Sequence, residues 1–110
     1  MITIRKAQKE DAQYIAEGIY SAFLLEDSDL YDRWIIRLKD VCEQVDTHYS
    51  YTNTVIAEVS GERAGMMIAV DGKDYRMQRD RMYPQLKDLF DIAFGEGWAK
   101  MEDEAKAGEF

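Results

Sequence analysis

Apolar positions set the framework of this chain, most plainly in Thr54–Gly72 (TVIAEVSGERAGMMIAVDG). Two apolar runs there flank Ser60-Gly61-Glu62-Arg63, a polar connection whose glycine accepts positive φ. That is the sequence form of a β-hairpin with a short loop. In the second arm Ala64, Met66, Ile68 and Val70 alternate with Gly65, Met67 and Ala69, so both faces are small or apolar. A strand of that composition is normally covered on both sides, which predicts helices above and below the sheet. Ile2-Thr3-Ile4-Arg5 alternates apolar and polar and predicts a third, short strand.

Between these strands the period changes to that of a helix. Ala12, Ile15, Ile19, Ala22 and Phe23 recur at helical spacing and predict a helix from about Lys9 to Leu24, with Glu10 and Asp11 at the positive end of its dipole. Gly18 inside it is read as a tolerated glycine rather than a point of close backbone approach, costing ~1 kcal/mol relative to Ala. Glu26-Asp27-Ser28-Asp29 reads as an acidic linker with Ser28 as N-cap. A second helix carries Leu30, Trp34, Leu38, Val41 and Val45 on one stripe. Thr47–Asn53 breaks the period, and Asn53, tolerant of left-handed backbone, is placed to set the entry to the hairpin.

After Asp71-Gly72, Lys73–Tyr83 is dense in charge. Pro84 suits the first turn of a helix whose stripe is Leu86, Leu89, Phe90, Ala93 and Phe94, with Gly95 as its stop, so two helical pieces are expected around Pro84. Glu96–Phe110 carries five acids against two lysines and few apolar residues, which predicts a mobile or loosely packed end. The three strands leave the Ala64–Val70 arm without an outer neighbour. An apolar edge of that kind invites pairing with another chain, so a homodimer or higher oligomer through it is expected.

Composition narrows the partners. A net charge of −8 over 110 residues repels phosphate backbones and anionic membranes, so neither nucleic acid nor a membrane is an expected partner. No apolar run approaches the ~18 residues of a membrane span. The single cysteine, Cys42, excludes an internal disulfide and fits a reducing compartment, the cytoplasm by default. Length and organisation fit one domain over residues 1–110.

Few residues point to chemistry. His48 is the lone histidine and lacks the companions that a ligand set or a catalyst needs, so it reads as a loop residue. Cys42 lies beside an apolar stripe and reads as a small hydrophobe. Glu58 is expected at the sheet margin or paired with Arg63. Arg76, Arg79 and Arg81, interleaved with Asp74 and Asp80, read as a salt-bridged surface. Spacings for zinc, a P-loop, a dinucleotide fold or a nucleophile elbow do not occur.

The order strand, two helices, hairpin resembles the start of the GNAT superfamily of acetyl-CoA-dependent N-acetyltransferases. Ile2-Thr3-Ile4-Arg5-Lys6-Ala7 followed by Glu10-Asp11-Ala12 looks like its first strand and first-helix entry. Val55–Val59, Gly61-Glu62 and Ala64-Gly65-Met66-Met67 look like its second and third strands. Tyr49–Thr54, with Val70-Asp71-Gly72 after the hairpin, is similar to a bacterial subgroup with a helical insertion before strand four, which would begin at Gly108-Glu109-Phe110. The resemblance implies an α/β (α+β) chain holding part of the acyl-CoA N-acyltransferase fold: a three-stranded, mainly antiparallel sheet with helices on both faces.

It also implies a function. The complete enzyme would move an acetyl group from acetyl-CoA to an amine-bearing small molecule or peptide, with Phe23, Glu26, Tyr49 and Tyr51 as candidates for the acceptor pocket. Glu26, Asp27 and Asp29 would welcome an amine there, although a solvated acidic loop is the favoured account of them. The family's pyrophosphate cradle, Arg/Gln-x-x-Gly-x-Gly/Ala at a helix N-terminus, has no counterpart string in these residues. The chain is therefore expected to be a truncated N-terminal portion without a cofactor site of its own, its catalytic base and acid unknown. The alternative is a non-catalytic acidic module that self-associates through its strand edge.

Overall fold

The structure, a computed structural model, describes residues 1–23 and 28–94. Leu24, the acidic linker with Glu26 and Asp27, Gly95 and the segment 96–110, including the expected start of strand four, lie outside the described residues.

Strand β1 (Ile2–Lys6) is followed by a 3-10 turn (Lys9–Asp11) and helices α1 (Ala12–Ala22) and α2 (Ser28–Glu43). A second 3-10 turn (Tyr51–Asn53) leads into the hairpin of β2 (Thr54–Val59) and β3 (Glu62–Ile68), and helix α3 (Tyr75–Phe94) closes the described order. The strands form one antiparallel sheet in the order β1-β2-β3. The connection of the hairpin is tighter than the pattern suggested. Only Ser60 and Gly61 turn, with φ of 52° and 83°, and Glu62 and Arg63 already pair with Val59 and Glu58. Two successive positive φ values match the right-handed twist of the flanking strands. The register shifts once, at Ala57/Glu58, where Ala64 stands as an extra residue in β3.

The helical stripes converge on a single core. Ile15, Ala16 and Ile19 of α1, Trp34, Leu38 and Val41 of α2, and Met82, Leu86, Leu89 and Phe90 of α3 are buried together with Ile56 of β2. Trp34 is the hub: its ring lies 5.5 Å from that of Phe23 and 5.4 Å from that of Phe90. Val45, expected on the α2 stripe, lies beyond the end of the helix and is half exposed.

Three expectations change. Helices cover only one face of the sheet among the described residues. Ile56, Met66 and Ile68 meet the core, whereas Ile2, Ile4, Val59 and Met67 on the other face are exposed. The helices stack on one another through Trp34 and Phe90 instead of dividing between the two faces. Pro84 sits inside one continuous α3 rather than opening a second helix. Burial of Met82, Leu86 and Leu89 on either side of it outweighs the ~3 kcal/mol cost of an interior proline. Asn53 keeps a negative φ and acts through its side chain, whose Nδ2 donates to the Thr47 carbonyl (2.9 Å) and to Gln78 Oε1 (2.8 Å). That ties the loop before β2 to α3.

Polar contacts fix α3 against α2. Arg37 grips Asp88 with two hydrogen bonds of 3.0 and 2.8 Å and also donates to the Gln85 carbonyl. Gln44 and Gln85 exchange amide hydrogen bonds of 2.7 and 3.0 Å.

Candidate functional site

A surface concavity lies between α1 and β3. Helical spacing puts Tyr14, Glu17 and Gly18 on one face of α1, opposite Gly65 and Met66 of β3. Together with Ala22 they line an open cleft of about 520 Å³. A second cleft, of about 510 Å³, shares Tyr14 and Glu17 and runs on to the hairpin tip past Glu10, Glu62 and Arg63. The lack of a side chain at Gly18 helps to form it: a Cβ there would stand 2.6 Å from Met66 Cε. The close neighbour of Gly18 is thus a side chain rather than a backbone.

Glu17 is the chemical centre of the groove. Its Oε1 accepts from Gln13 Nε2 at 3.0 Å and from the Tyr31 hydroxyl at 3.1 Å. Burial raises the Tyr31 pKa, and the carboxylate of Glu17 raises it further. Tyr31 also meets the edge of Tyr20 at 5.1 Å. At the other end the Arg63 guanidinium lies over the Tyr14 ring, 5.2 Å from its centroid, and 3.5 Å from Asp11. Carboxylates beside tyrosine rings can hold a cationic amine by charge and by cation–π attraction.

Of the residues expected to wall an acceptor pocket, Phe23, Tyr49 and Tyr51 do not line these clefts. Phe23, the C-cap of α1, packs edge-on against Phe90 at 5.8 Å and against Trp34. Tyr49 and Tyr51 are half-buried against the core from the segment before β2. Glu26 lies outside the described residues. The clefts are lined by Tyr14 and Glu17, whose i, i+3 spacing on α1 was visible but went unremarked, and by Arg63 of β3, which was read only as a partner for Glu58. His48 serves the fold, its Nε2 2.8 Å from the Tyr75 carbonyl and its ring 4.4 Å from that of Tyr75. Cys42 is fully buried and its thiol is pushed up to about 12 by that burial, so it carries no nucleophile. Glu58 pairs with Arg5 at 3.2 Å and not with Arg63, which is occupied by Asp11 and Tyr14. Arg79 is largely buried over the Tyr75 ring, so the arginine-rich segment is only partly a surface.

Carboxylates stand just ahead of two of the helices. Asp11 accepts from the Gln8 amide at 2.8 Å ahead of α1, and Asp71 accepts from the Lys73 amide at 3.1 Å ahead of α3. Among the described residues no three His, Cys, Asp or Glu side chains group to hold a metal, and no helix is long and apolar enough to cross a membrane.

With this geometry in view, the resemblance can be set against solved structures. One described as the crystal structure of an acetyltransferase superposes with a TM-score of 0.61 over 79% of this chain at 24% identity. The fold is acetyltransferase-like. The match takes in 49% of that protein, so this chain spans about half its length. No family model and no curated protein matches the sequence.

Proposed function

We propose that the chain is the N-terminal portion of a GNAT-superfamily N-acetyltransferase of the bacterial type, with α3 as the helical insertion before strand four. The observation that carries this reading is the β1-β2-β3 antiparallel sheet with α1 and α2 between its first two strands, an arrangement shared with half of an acetyltransferase. The complete enzyme would transfer the acetyl group of acetyl-CoA to a primary amine in the cytoplasm. The amine attacks only when neutral, so a base and an oxyanion donor must come from outside the described residues. The α1/β3 groove would serve as acceptor wall, with Glu17 and Tyr31 orienting the amine. By itself the chain would be inactive, because the family's pyrophosphate cradle has no counterpart string in these residues.

The test begins with the coding DNA beyond Phe110. An open frame encoding a further strand and the glycine-rich loop, whose product releases CoA thiol from acetyl-CoA with amine acceptors while residues 1–110 do not, supports the reading. A frame without that loop, or saturable thermal stabilisation of residues 1–110 by acetyl-CoA, overturns it. A non-catalytic, self-associating module is the second reading, favoured by the apolar face of the sheet that no helix covers among the described residues.

A further inference from the structure

We propose that the outer face of α2 docks a second copy of this chain, the two α2 helices lying antiparallel with Ile36 at the two-fold axis. The inference goes beyond the acetyltransferase reading and does not depend on it. Ile36 is 68% exposed, although Trp34, Ile35 and Leu38 around it are buried. Hollows of about 500 and about 220 Å³ border it, one toward Ile35, Lys39 and Asp40 and the other toward Arg33 and Leu89. The side chain stands proud, with room beside it for another of its kind.

Four charges frame it. Asp32, Arg33, Lys39 and Asp40 are all exposed. None of them enters an ion pair among the described residues. Asp40 accepts one side-chain hydrogen bond, from the Gln44 amide at 3.3 Å. Arg37, the other cation on this stretch, is turned to α3 by Asp88.

The pattern is complementary to itself. At the helical repeat Arg33 and Asp40 fall on one flank of Ile36, and Asp32 and Lys39 on the other. A two-fold axis passing between the helices at Ile36 reverses the second helix and keeps each flank on its own side. Asp40, one turn past Ile36, then faces Arg33 of the other copy, one turn before it. Lys39 faces Asp32 of the other copy on the opposite flank. The axis repeats both contacts, so opposite charges meet at every corner around the paired Ile36 side chains. Antiparallel helices also oppose their dipoles, which a parallel pairing would align.

This face is remote from the strand beside which a completing half would be added. Gly18 of α1 faces Met66 of β3, whereas Tyr20, on the far side of α1, meets Tyr31 and Trp34 of α2. α1 therefore stands between α2 and β3, and strands or helices that extend the sheet past β3 meet the sheet rather than this face. A contact between two helices buries less than the ~1,600 Å² of a standard interface. The net charge of −8 opposes association as well, so the dimer is weak and forms at high micromolar concentration.

Sedimentation of the chain from about 10 µM to about 1 mM is expected to show a monomer–dimer equilibrium. Arg33→Asp and Asp40→Arg should each weaken it roughly tenfold, because the axis turns one reversal into two repelling pairs. The double exchange should restore it to within about twofold. Within one chain Arg33 and Asp40 stand about 10.5 Å apart along α2, so the restoration reads the contact between copies. Ile36→Cys should form a disulfide-linked dimer on mild oxidation, and Lys73→Cys, equally exposed, should not; Cys42 is buried and does not compete. A monomer at every concentration overturns the proposal. So does a dimer indifferent to both charge reversals, which would place the contact elsewhere, at the β3 edge for example. A dimer that the double exchange fails to restore also overturns it, since parallel helices would set Arg33 against Asp32 and gain nothing from the exchange. Acetyl-CoA binding and acetyl transfer are read separately and bear only on the enzymatic reading.

Discussion

Arg5 and Asp11 join the first strand to the start of α1 by two parallel hydrogen bonds of 2.8 and 3.0 Å. Asp11 is almost completely buried, accepts also from the Gln8 amide, and has Arg63 of β3 at 3.5 Å. One carboxylate thus ties β1, β3 and α1 together, and Arg5 extends the network to Glu58 of β2. Asp11→Ala leaves two arginines without their buried partner and should cost roughly 1.5–3 kcal/mol, read from chemical denaturation.

The same contact sets an acid limb of stability. The Arg5 hydrogen bonds hold the Asp11 carboxyl below the usual carboxylate range, against the opposing effect of burial. A carboxylate with a depressed folded pKa contributes stability that is complete above its unfolded pKa, about 3.9, and lost as pH falls through the folded value. Asp11→Asn should flatten the loss of stability below about pH 4 relative to the parent chain. Equal acid limbs in the two proteins would show that Asp11 is not the group responsible.

Gly18 and Met66 oppose each other across the groove, and substitution there has a definite sign. Ala in place of Gly favours the helix by up to ~1 kcal/mol. The cost is displacement of the Met66 methyl, which lies 2.6 Å from the new Cβ at the far end of a flexible side chain bordering open space. Gly18→Ala should therefore be stabilising by up to ~1 kcal/mol, and Gly18→Ala with Met66→Ala should separate the helix gain from the displacement. A loss of more than about 1 kcal/mol in the single variant would mean that Met66 is held rigidly.

Local periodicity made much of the fold legible. The β1 alternation, the stripe of α1 and the hairpin arms each follow from spacing that tertiary contacts only reinforce. Three features needed information from distant residues. Pro84 reads as a helix start because sequence displays its missing N–H but not the burial of Met82 and Leu86 that carries the helix past it. The apolar faces of β3 asked for cover on both sides, and spacing cannot tell that the helices would gather around Trp34 on one of them. For the groove, Tyr14 and Glu17 were readable as neighbours on α1, but their opposition to Gly65 depends on the register of β3.

Cys42 gives an alkaline counterpart to Asp11. Burial, and less so Glu43, raises its thiol from 9.0 to about 12. A raised folded pKa contributes stability that is fully present below the unfolded value and lost as pH rises between about 9 and about 12. The difference in stability between the parent chain and Cys42→Ala should shrink over that window. At pH 8 the thiol should react with a disulfide reagent only as fast as the core opens. Rapid modification of the folded chain would contradict its burial.

Pro84 marks the least favourable backbone position in α3, and its neighbours show how the helix accommodates it. The ring removes one N–H from the ladder and crowds the carbonyl four residues back. One residue on, the Gln85 side chain donates to the Arg81 carbonyl at 2.9 Å, while Arg37 of α2 donates to the Gln85 carbonyl. Neither carbonyl is that of Asp80, the acceptor whose N–H partner the proline removes, so these bonds brace the helix beside the break without replacing the missing one. Pro84→Ala restores the missing donor and should stabilise the chain by about 1–2 kcal/mol, below the full ~3 kcal/mol because proline also restricts the unfolded chain. Gln85→Ala should cost about 1 kcal/mol in the parent and about as much in the Pro84→Ala background, because its bonds to Gln44 and to the Arg81 carbonyl do not replace the one lost at Asp80. A clearly smaller cost in the Pro84→Ala background would show that Gln85 does compensate for the proline.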